Sequence, residues 1–225
     1  MQIIQAILFE PVGCLAEFPA EPFHEIAVRL FQRRKKPSKS GSRSYWHLLN
    51  LIDAASRELG ESERKTIEDL EVQAVAGASI YEDVVPSLQE LKAMGVELIV
   101  ASSLSSMAIA CFLEKCSPYE FFSSVWNRDN AGGIKSAPLR SAVCGASHRP
   151  ENTIFLTDTI EGLKVAKSAG VSAILMMNDP DEARRLAMHD PAGGIVSLHE
   201  LPDFVRLVAA ENARRLIDCG THQSC

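Results

Sequence analysis

The apolar positions of this chain fall into two patterns. Short, mainly apolar runs, Ile3 to Phe9, Val96 to Ala101 and Val171 to Met176, each interrupted by one polar residue near its start, are too brief for helices and rich in Ile, Leu and Val. Such runs predict strands buried on both faces of a parallel sheet. Thr153 to Leu156, ending at Thr157-Asp158, predicts a further strand, and Phe122 to Trp126 and Ile195 to Ser197 predict two shorter ones. The second pattern spaces apolar residues three and four apart, as one face of a helix requires. From about residue 80 the two patterns take turns. Val84, Leu88 and Leu91 form a helical face behind an N-cap at Asp83, with Pro86 in the first turn and Gly95 closing the helix. Further helices are expected over about 105–115, Leu139 to Cys144, Leu163 to Ala169 with Gly170 as its stop, Glu182 to Met188, and about 200–217. Alternation of this kind predicts an α/β fold, a parallel sheet flanked by helices, with ligand sites beyond the carboxyl ends of the strands.

Residues 16–79 break the alternation. Phe23, Ile26, Ala27, Leu30 and Phe31 repeat at helical spacing, as do Tyr45, Leu48, Leu49 and Ile52, and then Ile67, Leu70 and Ala74. The block therefore reads as a small all-helical insertion, residues 16–79, in a core built from residues 1–15 and 80–217, with 218–225 as a flexible tail. Tyr45 and Trp46 either pack inside the insertion or line a substrate entrance. The basic run Arg33 to Lys39 is either a solvated loop or a lure for an anionic substrate or acidic partner.

Composition narrows the class. The 225 residues are 46% hydrophobic and 23% charged, ordinary for a folded globular chain and unlike a disordered one. A net charge of −6 gives no footing for bulk nucleic-acid binding. The short apolar start without a basic lead is unlike a secretory signal, and no run approaches the roughly 18 apolar residues of a membrane span. Six scattered cysteines, with no CxxC, fit reduced thiols in the cytoplasm rather than a disulfide frame or a zinc site.

The chemistry concentrates where strands end. Phe9-Glu10-Pro11-Val12-Gly13-Cys14-Leu15 follows the first strand, and Ser102-Ser103 follows Val96 to Ala101. Gly132-Gly133-Ile134-Lys135-Ser136-Ala137-Pro138 comes next, and Thr157-Asp158-Thr159-Ile160-Glu161-Gly162 follows the strand at 153–156. These four segments, in this order and with a helical block after the first, resemble the four motifs of the haloacid dehalogenase-like superfamily of phosphohydrolases. Gly162 is similar to the subgroup around β-phosphoglucomutase. The resemblance implies a Rossmann-like three-layer core with a helical cap closing over the site. It implies catalytic roles at Glu10, Ser102, Lys135 and Asp158, and phosphate binding by Ser102, Ser103 and Lys135. It also implies Mg²⁺ held by Glu10, the Val12 carbonyl and Asp158, and no organic cofactor.

The first motif departs from the family pattern. Glu10 stands where the nucleophilic Asp belongs, Val12 where the acid/base Asp belongs, and Cys14 replaces a Thr. The extra methylene of Glu10 displaces its carboxylate by about 1 Å, an error that costs on the order of 10²-fold in an in-line attack. Pro11 limits Glu10 to extended backbone angles, which restricts compensation. Val12 cannot carry a proton, and a lost general acid/base costs about 10²–10⁴-fold. Glu10 and Asp158 retain a weakened Mg²⁺ site. Two functions follow. One is a hydrolase-fold protein with weak or no phosphatase activity, whose phosphate or Mg²⁺ pocket serves binding or regulation, including by a protein partner. The other is an active phosphatase that uses Glu10 on a small phosphorylated metabolite. Structural readings stand beside these: Glu10 capping the strand end or pairing with Lys135, Ser102 and Ser103 capping the next helix, Asp158 capping its own, and Cys14 as a small buried thiol. No nucleic-acid or membrane partner is expected.

Overall fold

The computed structural model describes residues 4–32, 39–55, 59–116, 119–146, 148–178 and 180–221; for 180–183 and 211–221 it describes the backbone alone. The basic run from Arg33 to Ser38 and the last four residues lie outside the described residues.

Chain order begins with strand β1 (Ala6–Phe9), the turn α1 (Pro11–Cys14) and the two-residue strand β2 (Ala16–Glu17). Helices α2 (Ala20–Phe31), α3 (Gly41–Ala54) and α4 (Glu61–Gly77) follow, then β3 (Ser79–Ile80). Alternation then sets in: α5 (Val84–Ala93), β4 (Glu97–Ala101), α6 (Ser106–Cys116), β5 (Ser124–Trp126), α7 (Ser136–Gly145), β6 (Thr153–Thr157), α8 (Ile160–Ala169) and β7 (Ser172–Met176). The chain closes with α9 (Pro180–Ala187), β8 (Gly193–Ile195) and α10 (Glu200–Thr221). The last helix runs four residues past the expected end at 217.

Six parallel strands form the sheet, in the order β5-β4-β1-β6-β7-β8. Strand β1 is central. The chain builds outward from it on one side through β4 and β5, then crosses to build β6, β7 and β8 on the other. The reversal lies at β1, where a doubly wound sheet opens a crevice for ligands. Register sets the level of each strand end: Phe9 lies beside Val100 of β4 and Leu156 of β6. The residues just beyond these strands, Glu10, Ser102 and Asp158, therefore emerge together at the carboxyl edge.

The period of two along each strand divides the core. Ala6, Leu8, Ile99, Ala101 and Phe155 face a cluster with Leu139 and Ala142 of α7 and Leu163 and Ala166 of α8. Ile7, Phe9, Leu98, Val100 and Leu156 face the larger cluster. That cluster continues without a break into the inserted helices through Phe18, Phe23, Tyr45, Leu49 and Ile67. An aromatic series carries it across: Phe112 of α6 packs on Phe18 (centroids 5.6 Å apart), Phe18 on Phe23 (6.3 Å), and Phe23 on Tyr45 (5.3 Å).

The short strands β2 and β3 pair antiparallel, Ala16 with Ile80 and Glu17 with Ser79, at the point where the chain leaves and rejoins the sheet layer. Two residues are too few for hydrophobic alternation to register, so this stem is not visible in the sequence pattern. The expected N-cap at Asp83 is replaced by another use of that carboxylate. Asp83 makes no side-chain cap bond, and its Oδ2 accepts instead from Ser197 Oγ and Leu198 N, both at 2.7 Å, tying the start of α5 to the turn before α10. Among the described residues no helix is long and apolar enough to cross a membrane.

Candidate active site

Glu10 follows β1 directly and is 3% exposed. Its Oε1 accepts from Ser102 Oγ at 2.6 Å and from Val12 N at 3.5 Å. Burial is the main force on this carboxyl and pushes its pKa up to about 8. The Ser102 and Val12 hydrogen bonds pull against that shift, and the charge of Asp158 adds to it. Among the described residues no cation pairs with Glu10; the pairing with Lys135 expected as a structural alternative is not made. Burial therefore favours the protonated form of this carboxyl. Val12 beside it is fully buried.

Ser102, beyond β4, is committed within the protein. Its hydroxyl donates to Glu10 and accepts from Leu104 N at 3.3 Å. The Tyr45 hydroxyl lies 3.3 Å from the same Ser102 Oγ. Because the Ser102 proton goes to Glu10, Tyr45 is the donor in that contact. Burial, reinforced by Glu10, lifts the Tyr45 phenol well above its ordinary pKa, so it keeps the proton it donates. Neither Ser102 nor Ser103 caps the next helix. That place belongs to Ser105, whose Oγ accepts from Ala108 N at 3.2 Å.

Ser103 Oγ accepts from Lys135 N at 2.6 Å and so holds the backbone of the third segment against the second. Lys135 itself has φ 58°, a left-handed conformation uncommon for a residue with a side chain. Its ammonium turns away from Glu10 and pairs with Asp53 Oδ2 of α3 at 2.7 Å.

Asp158 follows β6 and packs on Gly13. Gly13 has φ +83°, and a Cβ there would run into the Asp158 carboxylate, so glycine is required for both backbone and space. Asp158 Oδ2 accepts from Ser42 Oγ of α3 at 2.5 Å and from Asn178 Nδ2 at 3.5 Å, while the same Nδ2 donates to Gly13 O at 2.6 Å. Asp158 does not cap α8. The neighbouring Thr159 does, through Oγ1 accepting from Gly162 N at 3.1 Å. Cys14 is buried, and its thiol is pushed well above the ordinary range by burial first and then by Asp158 and Glu10, so it is inert at neutral pH.

Glu10, Val12, Ser102, Ser103 and Asp158 thus converge on the carboxyl edge of the sheet, and the Lys135 ammonium does not join them. Ser42, Tyr45 and Asn178 do join, two of them from α3, while Asp53 of the same helix pairs with the Lys135 ammonium at the rim. Asn178 had a readable signal: it is a polar residue two positions beyond the apolar run Val171 to Met176. Ser42 and Asp53 had none, because polar residues on a surface helix are the default. Tyr45 was legible as an aromatic of the insertion, and it is fully buried there.

The donor set is a poor fit to Mg²⁺. Among the described residues no three His, Cys, Asp or Glu side chains cluster around one point. Glu10 and Asp158 are the two acids at this edge, and Asp158 Oδ2 already accepts a hydrogen bond from Ser42. Mg²⁺ requires near-octahedral oxygen ligands at about 2.0–2.1 Å, normally led by charged carboxylates. A cavity of about 330 Å³ opens nearby between α3 and the start of α8, lined by Arg43, His47, Asn50, Glu161 and Arg185 among others; Glu10 and Ser102 do not line it.

Comparison with known proteins places this geometry. No curated protein sequence matches the chain. The haloacid dehalogenase-like family protein SP0104 from Streptococcus pneumoniae aligns over 91% of this chain and 99% of its own, with 16% identity and a TM-score of 0.69. CbbY from Rhodobacter sphaeroides, solved in complex with phosphate, aligns over 88% and 96%, with 21% identity and a TM-score of 0.67. The HAD-hydrolase YfnB from Bacillus subtilis, solved bound to magnesium, aligns over 91% and 99%, with 13% identity and a TM-score of 0.60. At these identities the structures establish the fold alone. Sequence goes further: the model of the haloacid dehalogenase-like hydrolases matches residues 23–176, which include the second, third and fourth motif segments. With most of its length matched and its strand ends carrying the motif residues in order, the chain belongs to the haloacid dehalogenase-like hydrolase family.

Proposed function

We propose that this chain is a family member with weak or no phosphatase activity, whose altered site serves binding or regulation. One observation carries the reading: the Glu10 carboxyl is buried, hydrogen-bonded to Ser102 at 2.6 Å and without a cation among the described residues. A nucleophile must be ionised and aimed, and burial favours the protonated form of this carboxyl. Val12 adds a second deficit, since a valine can neither protonate a leaving group nor activate water. The Mg²⁺ site is correspondingly weakened: burial works against the charge of Glu10, and Asp158 is engaged by Ser42. Residues 16–79 act as a cap domain over this edge, which restricts any ligand to a small phosphorylated metabolite. A protein partner would meet the outer surface instead. The free thiols of Cys14, Cys111, Cys116 and Cys144 suit a cytoplasmic setting.

The test is phosphatase turnover with Mg²⁺ against a panel of phosphorylated metabolites, comparing wild type with Glu10→Asp, Glu10→Asp/Val12→Asp and Asp158→Ala. Wild type is expected to show no turnover above buffer. Wild-type turnover that disappears in Asp158→Ala would overturn the reading and establish Glu10 as a working nucleophile.

A further inference from the structure

Helix α3 carries two polar stripes, and one of them has no part in the motif contacts. Ser42, Tyr45 and Asp53 form the stripe that meets Asp158, Ser102 and Lys135. Arg43, His47 and Asn50, spaced i, i+4 and i+7, form the other, turned from the first by roughly 130° at 3.6 residues per turn. This second stripe lines the cavity of about 330 Å³, and the start of α8 and Arg185 of α9 supply the rest of its lining. The chemistry of these groups favours an anion. Two guanidiniums, an imidazole and a carboxamide offer donors, against a single acid, Glu161. That acid lies in the first turn of α8, where the helix itself favours a negative charge. The same turn adds donors. Thr159 Oγ1 accepts from Gly162 N and Thr159 O from Leu163 N, while the Ile160 and Glu161 N–H groups have no partner among the described residues. The volume is at the low end for ligand pockets, and Ile160 is the one aliphatic residue of the lining, so the ligand that fits is small and polar.

We propose that this cavity is a binding site for a small dianion, a molecule with two negative charges on phosphate or carboxylate oxygens, and that it fills with the insertion in place. Two charges on the ligand answer the two guanidiniums, whose planar forks of N–H donors match such oxygens. A guanidinium has five N–H donors, so one that also serves a protein neighbour keeps donors for the ligand. The ligand needs no access to the closed edge of the sheet. Glu10, Ser102, Lys135 and Asp158 take no part in the lining, and α3 keeps every contact that it makes with them. The two places are joined along the chain. Arg43 follows Ser42, whose hydroxyl donates to Asp158, and Thr159 to Glu161 follow Asp158 directly. Occupancy of the cavity therefore bears on both sides of the Ser42–Asp158 contact. The inference rests on the binding reading above and gives it a place and a ligand class.

The experiment is calorimetric titration of the full chain with orthophosphate and, separately, with succinate, so that the two arms distinguish the two sources of the dianion. At least one of them should bind wild type with a Kd of about 1 mM or below. Arg43→Gln and Arg185→Gln, both at exposed positions, should each weaken that binding roughly tenfold, the loss expected for a hydrogen bond between charged groups. Glu161→Gln should tighten it by about threefold, because the acid that opposes the ligand is gone. A purely structural Glu161 would give no such gain. Lys135→Ala should bind as wild type does, since that ammonium is paired with Asp53 outside the cavity. No binding of either anion at about ten times the expected Kd overturns the proposal. Binding that survives both arginine substitutions, or that is lost in Lys135→Ala, places the anion at the motif edge and overturns it as well. The two readings fail separately. Wild-type phosphatase turnover sinks the non-catalytic reading, and the arginine variants still judge the cavity. Absent turnover with an affinity indifferent to Arg43 and Arg185 sinks the cavity site alone.

Discussion

Two glutamates, Glu10 and Glu71, are buried to nearly the same degree, 3% and 0% exposed, and are kept there by opposite means. Glu71, on α4, is held by the Arg128 guanidinium at 2.5 Å and by Ser105 N at 3.0 Å. Burial raises its pKa, and Arg128 is the largest force opposing that rise. Glu10, at the end of β1, has a hydroxyl, a distant backbone N–H and a neighbouring acid, and burial wins. The cation that the family pattern would supply is Lys135, and Asp53 has taken it. Glu71 is thus a structural pin between insertion and sheet, ion-paired with Arg128. Glu10 is a buried hydrogen-bonding group whose ionised form burial disfavours.

The strongest way to break this contrast is to give Glu71 the situation of Glu10. Arg128→Ala leaves a fully buried carboxylate without its cation. Removing one partner of a buried pair typically costs about 3–5 kcal/mol, far above what the lost surface of Arg128 accounts for. Urea unfolding should show a large fall in midpoint with the slope retained. Arg128→Met with Glu71→Gln should recover most of the loss, because the orphaned charge is gone. A small loss in Arg128→Ala would mean that Glu71 takes up a proton as readily as Glu10 does, and the contrast would collapse.

A second test acts on Glu10 through pH. Its folded pKa, about 8, stands above the ordinary carboxylate value of 4.5, so between these limits the folded protein holds a proton that the unfolded chain releases. The stability this contributes is fully present below pH 4.5 and is lost as pH rises through about 8, by on the order of a few kcal/mol. Glu10→Gln keeps the shape and the bond from Ser102 and removes the titration. Its unfolding free energy should decline less across that window than that of the wild type. Any contribution from Glu71, also raised by burial, is common to both proteins and cancels in the difference. Parallel declines in the two proteins would mean that Glu10 is charged when folded.

The contrast also marks what a sequence can carry. Strands β1, β4, β6 and β7 were legible because a buried parallel strand must be continuously apolar, and the residue that follows each is fixed by the same constraint. Glu10, Ser102 and Asp158 could therefore be placed at one edge from order alone. Lys135 could not. Its segment was identified, and its backbone sits where expected, bonded to Ser103 at 2.6 Å. The direction of a four-carbon side chain, however, depends on which acid is nearer in space, and Asp53 is 82 residues away in the chain. Arg128 and Glu71 escaped for the same reason: a long-range pair leaves no period. Asp83 shows the local form of the problem, since a carboxylate at a helix start fits capping and a tertiary contact equally well until the neighbouring turn is known.

The smallest expected effect belongs to the pair that diverted Lys135. Asp53→Ala removes an ion pair whose acid is 62% exposed, and pairs of that kind contribute about 0.2–1 kcal/mol. The loss should shrink toward zero in about 1 M salt, where charges are screened beyond roughly 3 Å. The Arg128→Ala loss, on a carboxylate sealed from solvent, should persist at the same salt. Urea midpoints for both variants at low and high salt therefore separate the two contacts. If Asp53→Ala proves costly and insensitive to salt, the rim pair helps hold the insertion in place. If the cost is slight and screened, the insertion is held at Glu71 and the Lys135 contact is free to exchange one anion for another.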